Sequence, residues 1–175
     1  MFLKRLISGA VILSITILFG VLGGPALAAA LCVISCMGYY EFTTATKVRN
    51  GDQKLNILQA IGLITIVAYY IAILVQDNMY CPEVMSVWFN KTVGTFNMFT
   101  VLVLLIFVVG FIGILYAYIF TYPKYHFSQV SYSVFGMIYI GLTLSFVYYI
   151  RELPRGIYLV WMPFITAWVS DTCAY

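Results

Sequence analysis

The sequence predicts an all-α protein, a polytopic transmembrane helical bundle with about six membrane helices. Hydrophobic residues make up 63% of the chain and charged residues only 9%, and the mean hydropathy is +1.00. A soluble domain is about 45–50% apolar and about 25% charged. Apolar runs also recur along the chain at spanning length, because a helix needs about 20 mostly apolar residues to cross a bilayer. The few Lys and Arg residues lie between these runs rather than in one patch.

Six apolar runs are the predicted membrane helices. The first ends at Gly23-Gly24-Pro25, so we expect it to form a tight helical hairpin with the second. The fourth is the cleanest, the sixth contains Pro163, and the longest loop covers residues 76–98. Together they predict a single transmembrane domain over residues 1–175. The approximate bounds of the runs are 6–22, 26–40, 57–75, 99–120, 130–150 and 157–169.

The N-terminus has a second interpretation. A basic start, an apolar stretch and the sequence Ala26-Leu27-Ala28 are also typical of a cleaved signal peptide. However, the chain stays apolar as far as Tyr40, and a secreted domain would not begin with another membrane-grade segment. We therefore predict that the first helix is retained.

The positive charges predict the orientation, because cytoplasmic loops of membrane proteins carry an excess of Lys and Arg. A cytoplasmic N-terminus leaves three basic residues outside, Lys91, Arg151 and Arg155, and Arg151 and Arg155 make the loop 151–155 discordant. The net charge of +3 is too small to indicate nucleic-acid binding. The same orientation places six basic residues inside, namely Lys4, Arg5, Lys47, Arg49, Lys54 and Lys124.

Few side chains carry a recognisable chemistry. Cys32 and Cys36 share one helix face, without a CxxC pair or a zinc-like cluster, and we interpret them as buried small hydrophobic residues. The lone histidine, His126, lies in the polar loop after the fourth helix and is interpreted as an interfacial residue. The sequence contains no phosphate-binding glycine loop and no HExxH motif.

Two predicted helices have distinctive faces. On the fourth, Gly110, Gly113 and Ala117 form a strip of small residues that favours close helix packing. On the fifth, a polar stripe is predicted to turn toward protein, with a lipid- or substrate-facing groove as the alternative. That stripe consists of Ser128, Tyr132, Gly136, Tyr139 and Thr143.

Asp171 is the candidate metal ligand. It directly follows the apolar segment 159–169, where six crossings from a cytoplasmic start would place it on the cytoplasmic face. An interfacial anchor is the simpler interpretation, although acids at membrane depth are candidates for function. One carboxylate cannot bind a metal–triphosphate well, so such a site would need further residues.

Several ordered polar landmarks resemble bacterial phosphatidate cytidylyltransferases, also called CDP-diacylglycerol synthases. The sharpest is the last segment, 168–175, which resembles the family's W-x-S-D-T-G-A-Y sequence with Cys173 in place of the usual glycine. The others are the basic opening LKRLISG at 3–9, the GYYEF segment at 38–42, and the helix with Tyr139-Ile140-Gly141, Ser145-Phe146 and Arg151. The resemblance covers the whole chain loosely.

The resemblance implies an enzyme that transfers CMP from CTP to phosphatidic acid at the cytoplasmic face of the cell (inner) membrane, in phospholipid biosynthesis. It implies Mg²⁺ or another divalent ion, with Asp171 as the one metal-ligand position that carries over. It also allows a homodimer. Family members continue with an S-x-x-K-R-x-x-x-x-K-D…H-G-G-x-x-D-R-x-D signature that this sequence lacks. We therefore expect the N-terminal membrane portion of a longer enzyme, inactive alone. The alternative is a small non-enzymatic multi-pass protein, such as a transporter subunit or an assembly factor.

Overall fold

The computed structural model describes residues 14–48, 56–78, 92–93, 96–153 and 155–174, and it is helical almost throughout. The all-α prediction is therefore confirmed. The exception is a pair of two-residue antiparallel strands, β1 (Thr92–Val93) and β2 (Phe96–Asn97). The predicted features that lie outside the described residues are the start of the first span, Cys81, and five basic residues, namely Lys4, Arg5, Arg49, Lys54 and Lys91.

The helices follow the predicted apolar runs closely. Helix α1 covers residues 14–22 of the described chain. It is followed by α2 (Gly24–Ala45), α3 (Ile57–Asn78), α4 (Met98–Phe120), α5 (Phe127–Glu152), α6 (Gly156–Leu159) and α7 (Trp161–Cys173).

Three of these helices are long and apolar enough to cross a membrane within the described residues: α2, α5 and the segment Ile57–Val75 of α3. Residues Leu104–Phe120 of α4 form a further, shorter apolar stretch. These long apolar helices indicate a membrane protein. In lipid, backbone groups need partners inside the protein, and helices supply them locally.

The first two helices are separated by one residue, as the hairpin prediction requires. Gly23 (φ 62°) and Gly24 (φ 51°) both adopt left-handed backbone conformations, which glycine tolerates without steric cost. The Gly23 N–H donates to the Phe19 carbonyl at 3.0 Å, closing the last turn of α1. The Gly-Gly-Pro sequence thus ends one helix and starts the next.

The sixth apolar run differs from its prediction as a single helix over 157–169. The chain forms α6, turns at Val160 and continues as α7 to Cys173. Pro163 has no N–H to donate to the Leu159 carbonyl, so α6 ends there, whereas a proline is tolerated in the first turn of α7. As a result, Asp171 lies inside the last turn of α7 rather than beyond a helix.

The chain divides into two compact units: residues 1–31 with 145–175, and residues 32–144. In the second, which we call the central unit, α3 packs against α4. The predicted small-residue strip makes this contact, because a Cβ placed on Gly110 would collide with Thr65 and one on Gly113 would touch Ile61. The prediction for this strip is confirmed.

Candidate functional site

A buried polar cluster lies at one end of the central unit. Helix α3 begins with Asn56 as its N-cap, and the Gln59 side chain accepts a hydrogen bond from the Asn56 N–H at 3.2 Å. Helix α5 begins in the same way, with Gln129 accepting from the His126 N–H at 2.9 Å. In both cases the third residue of the helix accepts a hydrogen bond from a backbone N–H that has no acceptor within the helix.

The same glutamines also bind the C-terminal end of α2. The Gln59 amide donates to the Thr43 hydroxyl at 2.9 Å, and the Gln129 amide donates to the Lys47 carbonyl at 3.1 Å. Asn56 donates to the Val48 carbonyl at 2.9 Å and accepts from the Tyr125 hydroxyl. The end of α2 and the starts of α3 and α5 therefore meet at one end of the unit. We call this set the polar end: Thr43, Lys47, Val48, Asn56, Gln59, Tyr125, His126 and Gln129.

A ladder of hydroxyls continues from the polar end along α2. Tyr39, fully buried, shares a hydrogen bond of 2.7 Å with Ser133 of α5. One turn earlier, Ser35 shares a bond of 2.9 Å with Tyr70 of α3. Within the described residues, every buried side-chain nitrogen or oxygen has a partner. The interior of this unit is therefore a satisfied scaffold, without an orphaned group aimed at a ligand.

The polar stripe predicted to face protein on α5 lies mostly on the outside, so that prediction is wrong. Gly136 is buried, but Ser128 and Thr143 are exposed, and Tyr132 and Tyr139 are 45% and 57% exposed. The face that packs inward is rotated by about one residue and carries Gln129, Ser133, Met137, Ser145 and Tyr148. On this helix Tyr132 and Tyr139 therefore lie at the surface, whereas Gln129 and Ser133 are buried.

A lipid- or substrate-facing groove was the alternative for this stripe, and two of its residues, Tyr139 and Thr143, line a groove between α4 and α5. The groove has a volume of about 570 Å³. Its floor includes Val130, which is buried, and Leu115 and Val134, which are half-buried. We call it the α4–α5 groove; its lining residues are Phe111, Leu115, Phe127, Val130, Ser131, Val134, Phe135, Ile138, Tyr139, Leu142 and Thr143.

In the other compact unit, Arg151 caps the end of α1. Its guanidinium donates from Nε to the Gly20 carbonyl at 2.9 Å and from Nη2 to the Val21 carbonyl at 3.1 Å. A cation at a helix C-terminus is favoured by the helix dipole. A Cβ on Gly23 would come within 3.0 Å of the same guanidinium, so glycine gives the arginine its room. Arg151 therefore has a structural role, although it is one of the two arginines that made the loop 151–155 discordant with the predicted orientation.

Asp171 is exposed in the last turn of α7. An acidic side chain there faces the negative end of the helix dipole, which disfavours it. In the part of the chain that the structure describes, no three His, Cys, Asp or Glu side chains lie close enough to hold a metal ion. These residues therefore do not form a divalent-cation site by themselves.

His126 is exposed in the loop before α5, and its interfacial position stays a prediction. Cys32 and Cys36, which were predicted to be buried, are half-buried on α2 and form no disulfide. The capping glutamines were missed by sequence reasoning. Their signal was present as a glutamine three residues after the cap at each helix start, Asn56 to Gln59 and His126 to Gln129.

Two of the landmarks that resemble the family, at 38–42 and 139–141, lie in the central unit and contact one another there, while the landmark at 3–9 lies outside the described residues. A Cβ on Gly38 would touch Ile140, and one on Gly136 would collide with Phe42, so α2 and α5 approach closely here. Gly141 is packed against Ile66 and Phe107. These residues form a common packing core of a multi-helix membrane protein.

The chain as a whole matches the cytidylyltransferase family over residues 3–175. It therefore belongs to that family, as its polar landmarks predicted. Membership supports nucleotidyl transfer with a CTP-type nucleotide as substrate, and it favours an enzyme over a non-enzymatic membrane protein. No curated protein matches the chain, and no solved structure does.

Proposed function

We propose that the protein is a phosphatidate cytidylyltransferase, which transfers CMP from CTP to phosphatidic acid to give CDP-diacylglycerol and pyrophosphate in phospholipid biosynthesis. The observation that carries the proposal is the family match over residues 3–175. A membrane bundle suits this reaction because the acceptor is a lipid and the donor is dissolved in water, so they must meet at the bilayer surface.

The reaction joins two highly charged phosphates. A phosphate oxygen of phosphatidic acid attacks the α-phosphorus of CTP and forms a new P–O bond. The bond from that phosphorus to the α,β-bridging oxygen breaks, and pyrophosphate leaves with the electron pair. Cations must neutralise the triphosphate while the acceptor is aligned for attack.

Asp171 is our candidate for this charged site. It lies at the end of α7, where the helix dipole disfavours a carboxylate. Mg²⁺ is commonly bound by one or two carboxylates together with substrate phosphates and water. We propose that Asp171 is one such ligand and that further residues complete the set.

We also propose that the protein lies in the cell (inner) membrane with a cytoplasmic N-terminus. The polar end contains Lys47, with Lys124 in the adjoining loop, and both belong on the cytoplasmic side by the positive-inside rule. A homodimer remains a prediction, which light scattering of the purified protein would test.

The test of the reaction compares two proteins in membranes supplied with α-labelled CTP. One is residues 1–175, and the other is the same chain joined to a segment that carries the family signature. We expect label in CDP-diacylglycerol only from the longer chain, and only with phosphatidic acid and Mg²⁺. Residues 1–175 have six acids in all, and one carboxylate at the predicted site cannot replace the signature. A longer chain that labels a different acceptor would overturn phosphatidic acid as the substrate.

Within the longer chain, Asp171→Asn is expected to lower the rate at least tenfold, the size of a lost metal or phosphate interaction. The amount of folded protein should stay the same, because Asn keeps the shape of the exposed side chain. The matched control is Glu152→Gln, which removes another exposed acid at a helix end. Full activity of Asp171→Asn would leave Asp171 as an interfacial anchor.

A further inference from the structure

We propose that the α4–α5 groove binds one acyl chain of an anionic glycerophospholipid whose headgroup lies at the Lys124 end. The proposal depends on the protein being in a membrane and not on the reaction that it catalyses. It assigns a lipid site to a surface that the predicted packing stripe would have covered.

The groove has the shape of a chain-binding site. Helices α4 and α5 touch where Phe107 meets Gly141, and they are joined again by the loop 121–126. The cavity of about 570 Å³ is lined by Phe111 and Leu115 of α4 and by residues of α5 from Phe127 to Thr143. This volume is within the range of small-molecule sites, about 300–1,000 Å³.

The groove is longer than one leaflet is deep. On α5 its lining extends from Phe127 to Thr143, sixteen positions along the helix, or about 24 Å at the α-helical rise. Half of a bilayer's hydrocarbon core is about 15 Å thick. An acyl chain can therefore lie in the groove over the full depth of its leaflet.

The lining is hydrocarbon and aromatic, with little that could bind a polar ligand. Phe135 and Tyr139 stack face to face with centroids 5.3 Å apart and form one wall. The Thr143 hydroxyl is turned back onto the Tyr139 carbonyl, and the Ser131 hydroxyl onto the Phe127 carbonyl at 3.1 Å. Because both hydroxyls bond their own helix, the groove presents mainly apolar atoms.

The charged residues at one end of the groove favour an anionic headgroup. The groove begins at Phe127, next to exposed Lys124 and His126 in the preceding loop. Lys47 is brought to the same end by its carbonyl, which binds Gln129. Among the described residues, the acid nearest in sequence to Lys47 is Glu41, exposed on α2, and the loop 121–126 contains none. The sequence between Val48 and Asn56 adds one acid, Asp52, and two bases, Arg49 and Lys54. An anionic phosphate above the groove would thus meet a net positive rim.

The experiment uses vesicles that contain the full chain and a phospholipid with a photoactivatable diazirine near the middle of one acyl chain. Probes with phosphatidic acid, phosphatidylglycerol and phosphatidylcholine headgroups are compared. We expect crosslinks concentrated on groove residues such as Leu115 and Val134. The two anionic probes should label more strongly than the zwitterionic one.

Two kinds of variant test the two parts of the site. Ser131→Trp and Thr143→Trp should each fill the groove and lower groove labelling about tenfold, whereas Val109→Trp, on an α4 position that is 67% exposed and outside the groove, should not. Lys124→Gln should keep the labelling but reduce the anionic preference about fivefold, the change expected for one lysine near anionic lipid.

The proposal is overturned if labelling is spread evenly over Val109, Ile119 and the groove, or if both tryptophan variants label like the wild type. The readout does not involve CTP, so failure here would leave the proposed reaction intact, and failure of that reaction would leave the lipid site intact.

Discussion

Tyr39 of α2 contacts two neighbouring helices of the central unit. Its ring lies between two glycines on neighbouring helices, Gly62 of α3 and Gly136 of α5, and its hydroxyl meets Ser133. Adding a methyl group at either glycine would drive it into aromatic atoms. Small residues let the helix backbones approach each other, and the buried tyrosine hydroxyl forms a hydrogen bond between the helices.

Removing this hydroxyl tests its contribution. Tyr39→Phe is expected to lower the free energy of unfolding by about 1 kcal/mol, within the range measured for hydrogen bonds between membrane helices. Reversible unfolding in mixed detergent micelles measures the change. Tyr40→Phe is the control, because its ring is 39% exposed on the same helix. Equal effects of the two substitutions would mean that the Tyr39–Ser133 bond contributes nothing specific.

Gly62→Ala tests the close approach itself. The new methyl group would overlap the Tyr39 phenol, and we expect a loss of about 1–3 kcal/mol, as for other overpacked cores. Gly113→Ala, whose methyl group would sit at an ordinary distance from Ile61, should cost much less. The same unfolding experiment decides, and a neutral Gly62→Ala would show that α2 and α3 can separate without loss.

Among the elements, α3 and α5 owe their positions to the glutamines that cap them. Each glutamine accepts from the backbone of its own helix and donates to the end of α2, so one side chain both starts a helix and docks it. A cap made by a serine or an aspartate would satisfy the helix but would have no amide left to donate.

Substitutions at Gln59 can separate these two tasks. Gln59→Leu should cost about 1–3 kcal/mol of unfolding free energy, because it leaves the buried Asn56 N–H without its acceptor. Gln59→Glu keeps an oxygen for that N–H but loses the amide donor to Thr43 and places a carboxylate at a fully buried position, so we expect a loss at least as large. Thermal unfolding in detergent measures both. A glutamate variant as stable as the wild type would show that the amide donor contributes nothing to the docking of α3.

Helix positions were predictable because length and hydropathy determine them, but helix rotation was not. On α5, polar hydroxyl side chains occur on both faces, such as Tyr139 and Thr143 on one and Ser133 and Ser145 on the other. The spacing of polar residues therefore could not distinguish the inner face from the outer one. The choice depends on what the neighbours offer, such as the Tyr39 hydroxyl for Ser133. The strip at Gly110 and Gly113 was predictable because only close packing favours such small residues.

The candidate site was less predictable than the fold. Asp171 could be singled out by its type and place, but the groups that would complete a charged site are not among the described residues around it. The family landmarks that identified the protein, such as Gly38 and Phe42, turned out to pack α2 against α5. The landmarks at 38–42 and 139–141 are therefore signals of scaffold packing, whereas the sharpest landmark, 168–175, is exposed where the structure describes it.

For the molecule as a whole, the orientation is the prediction with the widest consequences. In a variant without its native cysteines, a cysteine at position 46, just beyond α2, should react with a membrane-impermeant maleimide only after the cells are opened. A cysteine at position 155, beside α6, should react in intact cells. Labelling of position 46 from outside would invert the topology and place Asp171 on the external face.

Arg151 also sets an order of events during synthesis. It caps α1 from 131 residues further along the chain, at the Gly20 carbonyl. At a translation rate of about 5–20 residues per second, the end of α1 waits on the order of ten seconds for its partner. The central unit is one uninterrupted stretch, residues 32–144, while the other unit needs both ends of the described chain. The first helix to be made should therefore be among the last to reach its final place, because the Gly20 and Val21 carbonyls lack their Arg151 donors throughout that interval.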